Sequence, residues 1–342
     1  MRLDLGVIFL YNVLRRGTRV SRKNDIDIIA NFETRSTIDP LIEHLQLHVP
    51  GLSGLNIATD GWEERVHGEK VFNYTYGFGL LKDSAYPTFI LEAASAEYYG
   101  ATPSGIYLSA NKPHAAELMS SLGFLCPRQR IVSRPPSSSE AAEICSYFKK
   151  SEYLVLKPAY EESSVGLRLL VNDPDDVRSS VASLYRWRPG VFVIQEYVDG
   201  VDVTVPVVGR SDGHCLPAVA LQHEAESSEP FIFDAVLKAS KPRLHYAPIG
   251  DWPREQRETL YDMALNAFAI TEQRDYARLD CRVSPDGRCW FLEMNANPQL
   301  SLGKGSIAVS ADAIGLAVGE VVQSIINDQS PDYGASPLEI GL

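Results

Sequence analysis

The sequence predicts an α/β (α+β) protein of two or three domains. Strand-length apolar runs alternate with helix-length amphipathic segments, which argues for mixed layers over an all-α or all-β fold. A dense β section lies between residues 153 and 222. The chain has 342 residues, 45% hydrophobic and 22% charged, a balance that suits packed cores and excludes a disordered chain. That length exceeds the roughly 100–200 residues of one ordinary domain.

In chain order, the apolar run ending Val7-Ile8-Phe9-Leu10-Tyr11 reads as an opening strand. Asp4 interrupts it and no small-residue cleavage site follows, so a signal peptide is not expected. Asp39-Pro40 predicts a helix start, with Asp as N-cap, running Leu41–His48 and stopping at Pro50-Gly51. His44 and His48 lie one turn apart, but no third ligand is spaced nearby, so a half-exposed helix face is expected over a metal site. A helix follows over Ser109–Leu122, ended by Gly123, and another opens after the Pro/Ser loop at 133–140 and runs through Lys149.

Strands are predicted at Tyr153–Lys157, Leu167–Val171, Val191–Val198 and Val203–Val208, the last pairing through the Asp212-Gly213 turn with Cys215–Gln222. A long helix near Arg254–Gln273 precedes strands Ala277–Val283 and Cys289–Met294. A final helix over about Ser310–Asn327 leads into a polar tail expected to fray.

Lys plus Arg number 32 against 44 Asp plus Glu, a net charge of −12, which argues against nucleic acid as a partner. Ten of the 32 cations are lysines. No apolar run reaches the ~18 residues that cross a bilayer, so no membrane partner is expected. Five cysteines without C-x-x-C spacing support neither a disulfide framework nor zinc, and a cytoplasmic location is expected.

Three segments carry chemistry. In Arg278-Leu279-Asp280 and Phe291-Leu292-Glu293-Met294-Asn295, an antiparallel hairpin would set Asp280 beside Glu293, with Asn295 on the same face. Three hard oxygen ligands suit Mg²⁺, which relieves the repulsion between the two acids, and Arg278 could stabilise an anion beside it. A solvated polar hairpin face is the bland alternative, but the apolar partners Leu279, Phe291, Leu292 and Met294 suit a packed sheet. Second, Lys157 ends an apolar strand and opens the small-residue loop to Gly166, whose amides and hydroxyls could wrap phosphate oxygens. No Walker motif occurs. Third, Val193–Asp202 is a strand with acids at its mouth. Its backbone could read an adenine ring and an acid could hold ribose hydroxyls, or it is a buried strand before a turn.

In this order and spacing the segments resemble the ATP-grasp superfamily, specifically its D-alanine–D-alanine ligase branch, over nearly the whole chain. Val71-Phe72-Asn73-Tyr74-Thr75-Tyr76-Gly77 is similar to the family's F-N-x-x-H-G segment. Lys157–Gly166 is similar to K-P-x-x-E-G-S-S-V-G except for Glu162, and Arg278, Asp280, Glu293 and Asn295 match R-x-D…E-x-N. The resemblance implies three domains, at 1–110 (substrate), 111–197 (central ATP-grasp) and 198–342 (catalytic), with ATP held between two antiparallel sheets. It implies ATP-dependent joining of a carboxylate to an amine through an acylphosphate. Lys112, Lys157 and Lys238 would neutralise the triphosphate, while Ser163 and Ser164 close over the transferred phosphoryl group. Glu196, Tyr197 and Val198 would meet the base and Asp202 the ribose. Asp280, Glu293 and Asn295 would hold one or two Mg²⁺, with Mn²⁺ an alternative. Arg278, Ser163 and Lys238 would be the catalytic groups, and Arg278 would face the oxyanion of the tetrahedral intermediate. Small amino-acid-like substrates and a homodimer are expected.

Departures fall in the substrate positions. The family's acidic motif after the first strand is replaced by the basic run Arg15–Lys23, which reads as a solvated surface ahead of an anion contact, its His by Tyr76, and its acceptor-site Ser by Lys304, with Ser306 nearby. These differences predict an amide or peptide ligase of specialised metabolism, such as antibiotic biosynthesis, acting on a substrate other than D-alanine. An authentic but divergent D-alanine–D-alanine ligase, an intramolecular cyclo-ligase and a non-catalytic ATP-binding module are the alternatives.

Overall fold

A computed structural model describes residues 6–13, 34–75, 84–161, 164–210, 212–223, 230–232, 244–303 and 305–328. Among them are three sheets, taken up in chain order.

The first sheet is parallel: β1 (Val7–Tyr11), β2 (Ser53–Asn56), β3 (Lys70–Tyr74) and β4 (Glu97–Tyr99), in the order β2-β1-β3-β4. The unbroken apolar run of β1 suits a central strand covered on both faces. Helices α1 (Arg35–His48), α2 (Trp62–Arg65), α3 (Tyr86–Ala93) and α4 (Pro103–Ala110) accompany it. Helix α1 starts four residues before the expected Asp39-Pro40 and carries Pro40 inside it. The extra turn buries Ile38 in one stripe with Leu41 and Leu45, a gain that outweighs the proline's missing donor.

The helix expected over Ser109–Leu122 is two helices, α4 and then α5 (Lys112–Ser121). Asn111 leaves the helical region and caps α5 by accepting the His114 N–H, and Pro113 sits in the first turn of α5, where it needs no donor. The break puts Lys112 at the start of a helix, buried, with its backbone N–H on the Ala159 carbonyl.

The second sheet is antiparallel: β5 (Gln129–Val132), β6 (Tyr153–Pro158), β7 (Arg168–Val171) and β8 (Phe192–Glu196), in the order β5-β8-β6-β7. Helix α6 (Ser138–Tyr147) opens with a Ser137/Glu140 capping box, and α7 (Pro174–Trp187) is capped by Asp173. Both cover one face with a self-contained core of Phe148, Leu154, Leu156, Val181, Leu184 and Phe192.

The third sheet is also antiparallel. It comprises β9 (Val201–Gly209), β10 (His214–Cys215), β11 (Val219–His223), β12 (Leu244–Pro248), β13 (Asp275–Val283) and β14 (Cys289–Ala296). Its order is β12-β11-β9-β13-β14, with β10 pairing β9. The strand expected over 215–222 is interrupted at residues 216–218, where Pro217 lacks a ladder donor. Helix α8 (Arg254–Ile270) and α5 pack on its apolar face. The expected closing helix is two, α9 (Ser306–Asp312) and α10 (Val318–Ile326). They part at Gly315, whose φ of +72° ends the first.

β13 joins two layers. Tyr276 stacks on Phe72, which stacks on Phe9, and its hydroxyl donates to the Asn73 carbonyl at 2.8 Å. Asp275, 1% exposed, accepts the Gly100 N–H at 2.8 Å and an Arg274 N–H at 3.0 Å. One end of β13 is thus locked into the first sheet, and its other end carries Arg278, Asp280 and Arg282. The first core is completed by Leu300, Ile307 and the α10 residues Val318, Val321 and Ile325. Helix α10 also explains the histidine pair: His44 Nε2 accepts the Gly319 N–H at 3.3 Å, a helix-packing role.

The turn before β9 rests on Gly200, at φ +140°. A Cβ there would press into the Val283 carbonyl, which cannot retreat because Val283 is paired to Val201. Gly200→Ala is expected to lower stability by about 2–4 kcal/mol, read as a lower denaturation midpoint with an unchanged m-value.

Candidate active site

The β13–β14 register sets Asp280 directly opposite Glu293 and Arg278 opposite Asn295. Regular alternation would then turn Phe291 to the same face as Glu293. A β-bulge prevents this: the register shifts after Asp280, so Cys281 pairs with Phe291 and Leu292 is the extra residue. Phe291 and Met294 both enter the core, while Leu292 and Glu293 stay partly exposed. Leu292 is therefore not the core partner the sequence suggested.

On the face so formed, Arg278 grips Asp280 with two hydrogen bonds, Nε to Oδ1 at 2.7 Å and Nη2 to Oδ2 at 2.6 Å. Asn295 Nδ2 donates to Asp280 Oδ2 at 2.7 Å. Lys112 Nζ lies 3.3 Å from Glu293 Oε2 and also donates to the Glu161 carbonyl. Glu161 in turn is paired with Arg188 at 3.0 Å. Burial raises the Glu293 pKa, but Lys112, Lys157 and Arg278 outweigh it and hold the carboxyl well below its usual range. Burial brings the Lys157 ammonium down to about 8, opposed by Glu293 and reinforced by Lys112. Burial would lower the Arg278 guanidinium as well, but Asp280 reverses the sign and raises it. Three cations thus surround two carboxylates, an excess of one positive charge on a half-buried face.

Asp280, Glu293 and Asn295 bring three hard oxygen donors to one sheet face, a donor set that fits Mg²⁺. Among the described residues there is no group of three or more His, Cys, Asp and Glu that could hold a metal, so the amide of Asn295 is needed to complete it.

The remaining expected residues divide. Glu196 accepts from Arg128 Nε at 2.7 Å and from the Arg128 N–H at 2.8 Å, so its side chain is committed within the second sheet. The Glu196 and Tyr197 N–H groups bond to the Arg128 and Tyr153 carbonyls. Asp202 lies opposite Arg282, at 3.4 Å from its Nε. Ser164 takes φ +59° at the start of the turn into β7, a strained position. Ser306, at the start of α9, is buried, and its Oγ has no hydrogen-bond partner among the described residues. Tyr76, Ser163, Lys238, Lys304 and the Arg15–Lys23 run lie outside the described residues.

Several residues near this face escaped the sequence reading, Thr204 and Tyr246 among them. Thr204, opposite Asp280 on β9, is buried, with its Oγ1 unpartnered among the described residues. Tyr246 on β12 has its phenol pKa raised by burial, with Arg278 opposing and Asp280 and Asp202 adding to the rise, so it stands close to the charged face. Long-range pairing brings both near, Thr204 through β9 with β13 and Tyr246 through β12 with β11 and β9.

Two antiparallel sheets bearing this charged face define an ATP-grasp ligase. Solved structures share the fold: D-alanyl-alanine synthetase A from Vibrio cholerae, with TM-score 0.72 and 14% identity over 96% of this chain and 99% of that one; and D-alanine–D-alanine ligase from Bacillus anthracis complexed with ATP, with TM-score 0.67 and 18% identity over 94% and 97%. The family model for the D-ala D-ala ligase C-terminus matches residues 118–327, more than half the chain, and the protein belongs to that family. Its relatives include an uncharacterized protein, y4sG, of Sinorhizobium fredii, 26% identical over 75% of this chain and 72% of the relative. Another is a D-alanine–D-alanine ligase of Stutzerimonas stutzeri, 26% identical over 70% and 71%.

Proposed function

We propose that the protein joins the carboxylate of one amino-acid-like molecule to the amine of another, with ATP converted to ADP and phosphate through an acylphosphate. The observation that carries the reading is the convergence of Lys112, Lys157 and Arg278 on Asp280 and Glu293. Excess positive charge on a half-buried face suits a triphosphate, whose charge grows no smaller as the γ-phosphoryl group moves to a carboxylate oxygen. Lys112 and Lys157 neutralise the phosphate oxygens, joined by Lys238 in the family pattern. Asp280, Glu293 and Asn295 would hold Mg²⁺, which when bound would draw charge from the phosphate oxygens. Ser164, with Ser163, covers the transferred group and keeps water from the acylphosphate. When the amine adds to the acyl carbon, Arg278 faces the oxyanion, kept in orientation by its two bonds to Asp280. The base lies against Tyr197 and Val198, and the ribose hydroxyls donate to Asp202.

The substrate pair is proposed to differ from two D-alanines. Tyr76, Lys304 and the Arg15–Lys23 run replace the family's substrate-position His, Ser and acid, and a lysine in place of a hydroxyl suits a substrate with an additional anionic group. The chemistry belongs to specialised metabolism in a cytoplasmic homodimer. The second reading, an authentic D-alanine–D-alanine ligase, is favoured by the name its Stutzerimonas stutzeri relative carries. A panel of amino acids scored by phosphate release, with mass spectrometry of the products, separates the two. Fastest turnover with a pair containing an acidic or otherwise anionic partner is expected. Fastest turnover with D-alanine alone overturns the substrate proposal, and a product one water lighter than a single substrate identifies cyclisation.

A further inference from the structure

We propose that Arg282 is the positioning residue of the nucleoside subsite: it aims the Asp202 carboxylate and the Tyr197 ring, and so sets discrimination for the ribose hydroxyls. The inference rests on the nucleotide reading above.

Arg282 follows Arg278 and Asp280 at two-residue steps along β13, which places it on the same face, at the end away from the first sheet. It is 5% exposed. A guanidinium so buried is costly unless its donors are used, and here they reach three separate segments. Nε lies 3.2 Å from the Gly200 carbonyl oxygen in the β8–β9 turn and 3.4 Å from Asp202 Oδ1 on β9. Nη2 donates to the Phe231 carbonyl at 2.8 Å. The guanidinium carbon lies 5.1 Å from the centre of the Tyr197 ring, and the Tyr197 hydroxyl accepts the Phe231 N–H at 2.9 Å. One cation therefore ties the β8–β9 turn, the proposed ribose acid, the proposed base platform and residues 230–232 into a single unit.

A planar fork can meet a carboxylate, two carbonyls and a ring face at once, whereas a lysine would offer a point charge to one of them. A carboxylate with a freely turning side chain would meet ribose hydroxyls in many orientations. With Arg282 at its edge, Asp202 presents a restricted set of lone pairs, which converts an acid near the ribose into one that can detect a missing hydroxyl.

The test is the Mg²⁺-dependent binding of ATP and of 2′-deoxy-ATP and 3′-deoxy-ATP to the full chain by calorimetry, for the wild type, Arg282→Met, Asp202→Asn and the double variant. Arg282→Met is expected to weaken ATP about tenfold, the scale of one charge-assisted hydrogen bond, and to erase most of the preference for ATP over one or both deoxy forms. The double variant should bind no more weakly than Asp202→Asn alone. A lower melting temperature for Arg282→Met with the wild-type preference intact would make Arg282 a structural clip and overturn the inference. Should Arg282→Met not fold, Arg282→Lys keeps the charge without the fork: loss of preference supports the proposal and retention overturns it. If Asp202→Asn itself leaves ATP affinity and preference unchanged, the ribose assignment of Asp202 fails, and with it the premise. That result is distinct from one in which Asp202→Asn acts and Arg282→Met does not.

Discussion

Arg278→Ala is expected to cut turnover by about 10²–10³-fold, the loss seen when one donor to a developing oxyanion is removed, while ATP binding in Mg²⁺ stays within a few-fold of wild type. The asymmetry follows from the site. Two of the three cations around the carboxylates, Lys112 and Lys157, remain for the proposed triphosphate. What is lost is the guanidinium that Asp280 holds in one orientation through two bonds at 2.7 and 2.6 Å. Arg278→Lys should recover only part of the rate, because an ammonium cannot keep both bonds. Phosphate release during multiple turnover, read beside ATP calorimetry, checks the prediction. Unchanged turnover would remove Arg278 from the catalytic groups, and lost ATP binding would reassign it to the triphosphate.

Glu293→Gln is expected to act in opposite directions on binding and on rate. Glu293 is the acid that Lys112 contacts at 3.3 Å and that opposes the downward shift of Lys157. Its neutral replacement leaves two ammonium groups and one guanidinium facing Asp280 alone among these carboxylates, so ATP without a divalent cation should bind more tightly than to wild type. Turnover in Mg²⁺ should fall by about 10²–10³-fold, because one of the two proposed charged metal ligands would be gone and a bound metal would supply several kcal/mol of charge stabilisation. Raising Mg²⁺ should restore part of the rate. Equal losses of binding and rate at every Mg²⁺ concentration would instead mark Glu293 as a structural counter-charge to its lysines.

The sequence revealed this site unevenly, for reasons that lie in particular residues. Arg278 and Asp280 share a face by simple alternation, which two-residue spacing made readable, but their bidentate pairing was not. Glu293 opposite Asp280 was readable from the hairpin. The bulge at Leu292 was not, because Phe-Leu-Glu offers no glycine or proline to mark it, and the reason for it is the fit of Phe291 and Met294 into a core shared with α5 and α8. The break between α4 and α5 was written in Asn-Lys-Pro, yet the apolar periodicity on either side masked it. Thr204, Tyr246 and the Asp202–Arg282 pair depend on strands far apart in sequence, whose register no local pattern specifies. Likewise, the two-helix close of the chain turns on Gly315, a single residue inside an otherwise helical composition.

The stacking of Tyr276 on Phe72 and Phe9 bears on the order in which the chain can fold during synthesis. One of the two cores on the first sheet stays incomplete until Tyr276, Leu300, Ile307 and finally Val321 and Ile325 arrive. The central sheet, closed by α6 and α7 alone, can complete itself while the first still waits. Truncation before α10 would therefore remove part of the packing of the first sheet, far from the cut in sequence.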